Sequence, residues 1–273
     1  MWSRKRFIAA LLLAACFGSG NGGDATATGL REVTIVGNSF RITLDDGRVL
    51  AGRDILGVEF DAEDTDGKSL TIRIDGIELD KLDHTGETVL YDLSTPDPNA
   101  GGWKNLCDPG PDGLRMGFPL AGTWTATGEH VAEPGRFAIT CTAGAIGKCV
   151  RFGYKPWATG PDDRSMWDVH QACVRMVRAD YYGDGQSHTR NGTRIDVYDR
   201  FGIQRDEPAP GMSFEAAWGP DGAVCIAHPR LPDLITLEDL ARSSPAHLSG
   251  RTGPACSEEW ARQTTKTVLF NKS

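Results

Sequence analysis

The chain lacks any stretch near the roughly 20 consecutive apolar residues that a helix needs to cross a bilayer; its apolar run at residues 7–15 falls far short. A Gly-x-Ser-x-Gly elbow, a Walker loop and a dinucleotide fingerprint in a strand–turn–helix setting are missing too. The usual hydrolase and nucleotide readings therefore have no support. No two cysteines are spaced as C-x2-C or C-x4-C, and no two histidines lie three or four apart. That spacing argues against a structural zinc site, and no cofactor is expected. Cations are in deficit, 29 Lys and Arg against 37 Asp and Glu, for a formal charge of -8. Such a chain repels phosphates instead of releasing their counterions, so nucleic acid is a poor partner.

The N-terminus, by contrast, is specific. Arg4-Lys5-Arg6 precede Phe7-Ile8-Ala9-Ala10-Leu11-Leu12-Leu13-Ala14-Ala15, the order of charges and apolar residues in a secretory signal peptide. Leu13-Ala14-Ala15-Cys16 resembles the bacterial lipobox. That resemblance implies diacylglycerol on the Cys16 sulfur and cleavage before Cys16. Several acyl chains anchor far more firmly than one, because each buried methylene contributes about 0.8 kcal/mol. Phe17, not Asp, follows the cysteine, and the resemblance then implies sorting to the outer membrane, facing the periplasm or the surface. The membrane is thus the expected partner, reached through the N-terminal lipid. Residues 16–30 are Gly-rich without apolar periodicity and read as a flexible tether.

Removing residues 1–15 leaves 258 residues and takes the formal charge from -8 to -11, since three cations go. The 40% hydrophobic content supports a globular core in one large domain or two small ones. Beyond Cys16 six cysteines remain, Cys107, Cys141, Cys149, Cys173, Cys225 and Cys256. An even count in an exported chain predicts three disulfides, with fifteen possible connectivities. Residues 136–151 read as a helix, which would hold Cys141 and Cys149 about 12 Å apart along its axis. A disulfide needs Cα atoms within about 7 Å, so those two are expected to bond elsewhere.

The fold class is α+β, a β-rich N-terminal region at residues 31–95 followed by a disulfide-stabilised α+β domain at residues 96–273. Strands are expected at 33–36, 40–44, 48–50, 57–60, 70–74 and 88–91, with turns at Asp46-Gly47 and Asp66-Gly67. Asp61, Glu63, Asp64 and Asp66 suggest calcium, but an EF-hand's bidentate Glu is absent and a solvated hairpin is the better reading. Residues 94–113, rich in Pro, Gly, Asn and Asp, read as a long connection. Asp162 and Asp163 suit the start of a second helix over 164–179, with Met166, His170, Cys173 and Val177 on one face. Strands at 194–199, 213–218 and 223–227 follow. Short helices are expected near 236–242 and 256–264, and a last strand at 267–270.

The second helix carries a resemblance. Ala172-Cys173-Val174-Arg175-Met176-Val177-Arg178-Ala179-Asp180-Tyr181-Tyr182-Gly183-Asp184-Gly185 resembles the signature of the bacterial ADYC domain family. So do Gly147-Lys148-Cys149-Val150-Arg151-Phe152 upstream, and Phe214-Glu215-Ala216-Ala217-Trp218 and Asp221-Gly222-Ala223-Val224-Cys225 downstream. The likeness covers residues 100–270 and extends more weakly into the N-terminal strands. Tyr182 stands where the family motif has its Cys, a departure that would leave any pairing partner of that Cys free. The resemblance implies an exported protein, often lipid-anchored, and brings no established activity.

Candidate chemistry centres on Asp180, Asp184 and His188 in one Gly-rich loop, as an acid/base pair or an oxygen-rich cation site. The competing expectation is that Asp180 caps or pairs with Arg175 or Arg178 while Gly183-Asp184-Gly185 forms a turn. His170 beside Cys173 reads as a core histidine; His130 and His228 have no visible partner. Trp103, Trp124, Trp157, Trp167, Trp218 and Trp260 would line a groove for glycan or peptide, or simply pack in the core. The leading reading is a lipid-anchored cell-envelope protein with a binding or structural role. Its partner would be an envelope glycan, peptide or protein. The alternative is an envelope hydrolase using Asp180, Asp184 and His188.

Overall fold

The structure is a computed structural model and describes the backbone of residues 8–10 and residues 29–273, except 65, 244 and the side chain of Asp162. Cys16 and the tether as far as residue 28 lie outside the described residues, as does most of the signal segment; Leu30, expected at the end of the tether, already belongs to a strand. The chain divides into two compact units, residues 1–124 with 131–147, and residues 125–130 with 148–273.

The first unit is strand-rich, as expected. Its strands are β1 (Ile8–Ala10), β2 (Leu30–Val36), β3 (Ser39–Leu44), β4 (Val49–Ala51), β5 (Glu59–Asp64), β6 (Ser69–Leu79), β7 (Val89–Pro96), β8 (Trp103–Asn105), β9 (Gly117–Ala121) and β10 (Thr123–Trp124). After β11 (His130–Val131) comes β12 (Phe137–Cys141). β2, β3 and β4 make a three-stranded antiparallel sheet turned at Gly37 and at Asp46-Gly47. The larger sheet runs β6-β5-β1-β12-β9-β7-β8, and β6 also pairs with β7. That extra pairing closes six strands into a ring, with β8 branching from β7. Phe40 of β3 lies 4.8–5.8 Å, ring to ring, from Phe60 of β5, Tyr91 of β7 and Phe137 of β12. It therefore meets staves from several sides of the ring, alongside buried Ile72, Ile74, Leu93, Phe118 and Leu120. Alternation explains the burial: in β6, Ile72 and Ile74 are buried while Thr71, Arg73 and Asp75 are not.

Two expectations fail here. Residues 136–151 are not one helix: 137–141 form β12, and only Ala145–Arg151 (α1) are helical. Phe137-Ala138-Ile139-Thr140 is β-favouring and buried along its length, so it lacks the one-faced pattern that separates strand from helix. Nor is 94–113 only a connection, since it contains β8 and the end of β7.

The second unit packs α2 (Met166–Arg178) against a four-stranded antiparallel sheet in the order β13-β16-β14-β15. These strands are β13 (Asp196–Asp199), β14 (Phe214–Gly219), β15 (Gly222–Ile226) and β16 (Leu269–Lys272), with α3 (Leu237–Arg242) and α4 (Glu258–Gln263) between β15 and β16. The sequence places each of these within three residues. The acidic start assigned to α2 is displaced: Pro161–Asp163 form a separate 3-10 turn, and Asp168 is the acid in the first turn of α2. A left-handed Asp163 (φ 54°) ends that turn, and extended Arg164 and Ser165 separate it from the helix. The helix also buries far more than one stripe, from Met166 and Val169 to Met176.

All six expected cysteines are paired: Cys107–Cys141, Cys149–Cys173 and Cys225–Cys256. Each bond lies within one unit. Cys141 and Cys149 do bond elsewhere, although Cys141 ends a strand and does not share the helix of Cys149. Among the described residues no cysteine is orphaned by Tyr182, whose hydroxyl instead donates to the Asp239 carbonyl at 3.1 Å.

Candidate functional site

Helix α2 stops at Ala179, which turns left-handed (φ 48°) and donates its N–H to the Arg175 and Met176 carbonyls. A left-handed C-terminal residue is costly for alanine, so the surrounding contacts must hold it. They begin at Asp180, which is fully buried. Its Oδ2 accepts from Arg175 Nη1 at 2.7 Å and from the Gly185 N–H at 3.0 Å, closing the loop. Burial pushes the Asp180 carboxyl up, Arg175 pulls it back down, and the charge of Asp184 adds to the rise. Arg175 also donates to the Thr127 carbonyl at 2.5 Å, and Arg178 donates to the Gly185 carbonyl.

The neighbouring residue joins a second buried hub. Tyr181 donates to Glu215 Oε1 at 3.0 Å and accepts from the Arg230 N–H at 2.7 Å. Arg230 clasps Glu215 through Nε (2.9 Å) and Nη2 (3.1 Å). The same guanidinium donates to the Met176 and Val177 carbonyls at the end of α2. Asn271 of β16 gives Glu215 a further donor at 2.6 Å and accepts from the Trp218 indole at 2.8 Å. Burial and the adjacent Glu215 raise Tyr181 well above the ordinary phenol range. The glycines have steric reasons. A Cβ on Gly183 would sit 2.0 Å from the Asp221 carbonyl oxygen, and one on Gly185 2.7 Å from that of Thr127.

The three candidate groups do not come together as a catalytic set. Asp184 is exposed, and its Oδ1 accepts from the Gln186 N–H at 2.9 Å, an ordinary Asp turn. His188 lies 3.0 Å through Nδ1 from the Ala179 carbonyl and stacks on Tyr181. A carbonyl only accepts, so Nδ1 carries a proton. None of the three hydrogen-bonds another. Among the described residues no cluster of three His, Cys, Asp or Glu could hold a metal ion. In the acidic hairpin, Asp64 accepts from the Asp66 and Lys68 N–H groups.

The other singled-out residues scatter. His170 is fully buried at 6.1 Å, edge-on, from Trp167, and Cys173 beside it is oxidised. His130 stacks on Trp167 at 3.7 Å, and His228 lies 3.0 Å from the Ser213 hydroxyl. Trp218 is core; Trp103 sits under Arg73, and Trp260 under Arg251. Trp218 is thus taken up by the core, and Trp103 and Trp260 each meet an arginine.

A family model described as the ADYC domain matches residues 52–232, two thirds of the chain. The chain belongs to the ADYC domain family. The match starts and ends earlier than the resemblance suggests, taking in the strands from Gly52 onward and stopping before α3. No curated protein and no solved structure matches the chain. In this ADYC chain the namesake residues Ala179, Asp180 and Tyr181 are all fully buried. They fasten the end of α2 to the sheet.

A groove that the sequence reading missed lies in the first unit. It encloses about 580 Å³, with Phe40 and Tyr91 as floor, Val36 and Leu79 on the rim, and Arg41 and Arg53 beside them. Val36 and Leu79 are more than half exposed. Its volume falls in the range of small-molecule sites. Strand alternation hides such a feature, because each rim residue reads as an ordinary strand position. The available signal was apolar residues at two strand ends, Val36 before Gly37 and Leu79 before Asp80.

Proposed function

We propose that this ADYC protein is a lipid-anchored component of the bacterial cell envelope, exported by its first fifteen residues, anchored through Cys16 and sorted to the outer membrane. Its role is binding or structural, toward an envelope glycan, peptide or protein. The observation that carries the reading is cysteine parity. Six of the seven cysteines close on one another in three disulfides, leaving Cys16 as the one left over. Disulfides persist in exported proteins and are rare in the cytosol. Among the described residues no helix is long and apolar enough to cross a membrane.

The binding half of the reading is supported by the contrast between the two places described above. The signature loop uses Asp180 Oδ2, the Tyr181 hydroxyl and the Gly185 N–H to hold α2, whereas the groove keeps apolar rim residues and two guanidinium groups in solvent. The hydrolase alternative gains no observation from this geometry.

Intact and peptide-level mass spectrometry, without reduction, of protein purified from membranes tests the reading. A chain starting at a diacylglyceryl-bearing Cys16 with three bonded pairs is expected. An unmodified N-terminus or six free thiols would refute it. For the binding role, Val36→Asp with Leu79→Asp is expected to abolish recovery of an envelope partner without shifting the melting midpoint by more than about 2 °C, as surface changes seldom cost more than about 0.5 kcal/mol. Unchanged recovery would remove the groove from consideration.

A further inference from the structure

In the unprocessed chain one stave of the closed ring is β1, a piece of the segment whose removal is proposed above. Its three residues pair on both sides: Ile8, Ala9 and Ala10 with Ile139, Ala138 and Phe137 of β12, and Ile8 and Ala9 with Asp64 and Glu63 of β5. Both pairings are antiparallel. β5 and β12 therefore run parallel to each other, two strand spacings or roughly 9–10 Å apart. That gap is too wide for direct hydrogen bonds. Once β1 is gone, the ring opens at one seam, and two edges face each other with unpaired backbone N–H and C=O groups. One edge belongs to β12, whose residues Phe137, Ala138 and Ile139 are each no more than 5% exposed.

We propose that the mature protein is a strand acceptor. The seam between β5 and β12 captures an extended peptide, antiparallel to both edges, with cationic residues immediately before an apolar run. This inference rests on the processing proposed above. Two observations fix the occupant's chemistry. The first is the strand already seated there, which shows direction, register and a length of at least three residues. The second is charge. The register sets the N-terminal end of the guest beside Asp64, at the turn end of a hairpin where residues 61–68 also carry Asp61, Glu63 and Asp66 against one cation, Lys68. In the precursor, the residues just before Ile8 include Arg4, Lys5 and Arg6. Backbone pairing would give affinity and the acidic hairpin direction, the usual division of labour when a peptide adds to a sheet.

The test uses the mature chain purified from membranes in detergent, with its N-terminal mass read first. The probe is a fluorescent peptide of the sequence Arg-Lys-Arg-Phe-Ile-Ala-Ala-Leu, followed by anisotropy and by amide hydrogen exchange. Saturable binding is expected, with new protection at residues 63–64 and 137–139. Replacing the first alanine of the probe by proline should weaken binding at least tenfold, because proline cannot donate to a ladder. Replacing its three cations by glutamate should do the same at low salt, with the difference shrinking in 0.5 M salt. Absent binding, an unaffected proline probe, or a dimer that protects the seam without peptide would overturn the proposal. So would seam amides already protected in the free mature chain, which would mean its own tether fills the gap. A mass that starts at Met1 would instead refute the processing alone. The seam is then tested with the same probe on a chain beginning at residue 16.

Discussion

Arg230 and Glu215 form an ion pair whose side chains are 1% and 0% exposed, so removing either partner strands a charge in the core of the second unit. Arg230→Met takes two of the four donors from Glu215, leaving only Tyr181 and Asn271. It also frees the Met176 and Val177 carbonyls at the end of α2. Breaking a buried pair from one side costs about 3–5 kcal/mol. Glu215→Gln should cost a similar amount, because the guanidinium then faces a neutral amide. The double variant carries neither charge, so its cost should fall below the sum of the singles by about 2 kcal/mol or more. At a urea slope of about 2 kcal/mol/M, each single variant should lose about 1.5–2.5 M in midpoint. The assay is urea titration without reductant, followed by hydrogen exchange at the β14 and β15 amides, so that the second unit is read separately. Additive losses, or single losses below about 1 kcal/mol, would show that water or local rearrangement compensates the pair and that the hub is not what fastens α2.

Other outcomes follow from the same geometry. Gly183→Ala should cost more than about 3 kcal/mol or prevent folding, since its Cβ would meet backbone 2.0 Å away at φ +74°. Gly192→Ala, at φ +88° in open space, should cost only about 1–2 kcal/mol; equal costs would refute the clash argument. Asp180 is raised above its usual 3.8 by burial, so between the two values the folded chain holds more protons than the unfolded one. The stability linked to this group is then fully present below about 3.8 and is lost as pH rises through the folded value. The margin of the unmodified chain over Asp180→Asn in urea melts should therefore be larger at pH 4 than at pH 7. A margin that grows with pH would mean that the Arg175 ion pair outweighs burial. Tyr182→Cys, which restores the family motif, should add one thiol titratable with DTNB and leave the three disulfides in place, as every described cysteine is already paired. No new thiol, or a scrambled disulfide map, would contradict that.

The legible parts of the fold are those in which one face is buried and a turn residue marks the end. β3, β4 and the strands around Asp66-Gly67 follow from alternation and Asp-Gly pairs. α3 follows from Thr236, whose side chain forms a capping box with Asp239. β12 was misread because Phe137-Ala138-Ile139-Thr140 is buried throughout and leaves no period to distinguish strand from helix. β8 was missed because it is three residues long inside a run of turn-formers. The disulfide count was legible from parity, but the connectivity was not, since it depends on long-range pairing. At the candidate site the sequence named the right alternatives for Asp180 but could not choose between them. What decides is Arg175, whose guanidinium reaches past the helix end, and burial, which one sequence does not encode locally.

A signature can be specific without being catalytic, and this one has the physical marks of a fastening. Its acid meets an arginine and a loop N–H, its tyrosine meets a buried carboxylate, and its glycines sit where a methyl group would strike a carbonyl. Each residue is thus required by the end of α2 whatever the protein binds. Chemistry that demands residues for closure leaves few free to meet a ligand, because a donor or acceptor already satisfied in the core gains nothing from a new partner. Recognition is better sought where groups are unspent. In the first unit these are the guanidinium groups of Arg41 and Arg53 beside an exposed aliphatic rim, and the seam that processing would open between β5 and β12. The family signature thus lies at the helix end of the second unit, while the groove and the seam lie in the strand-rich unit.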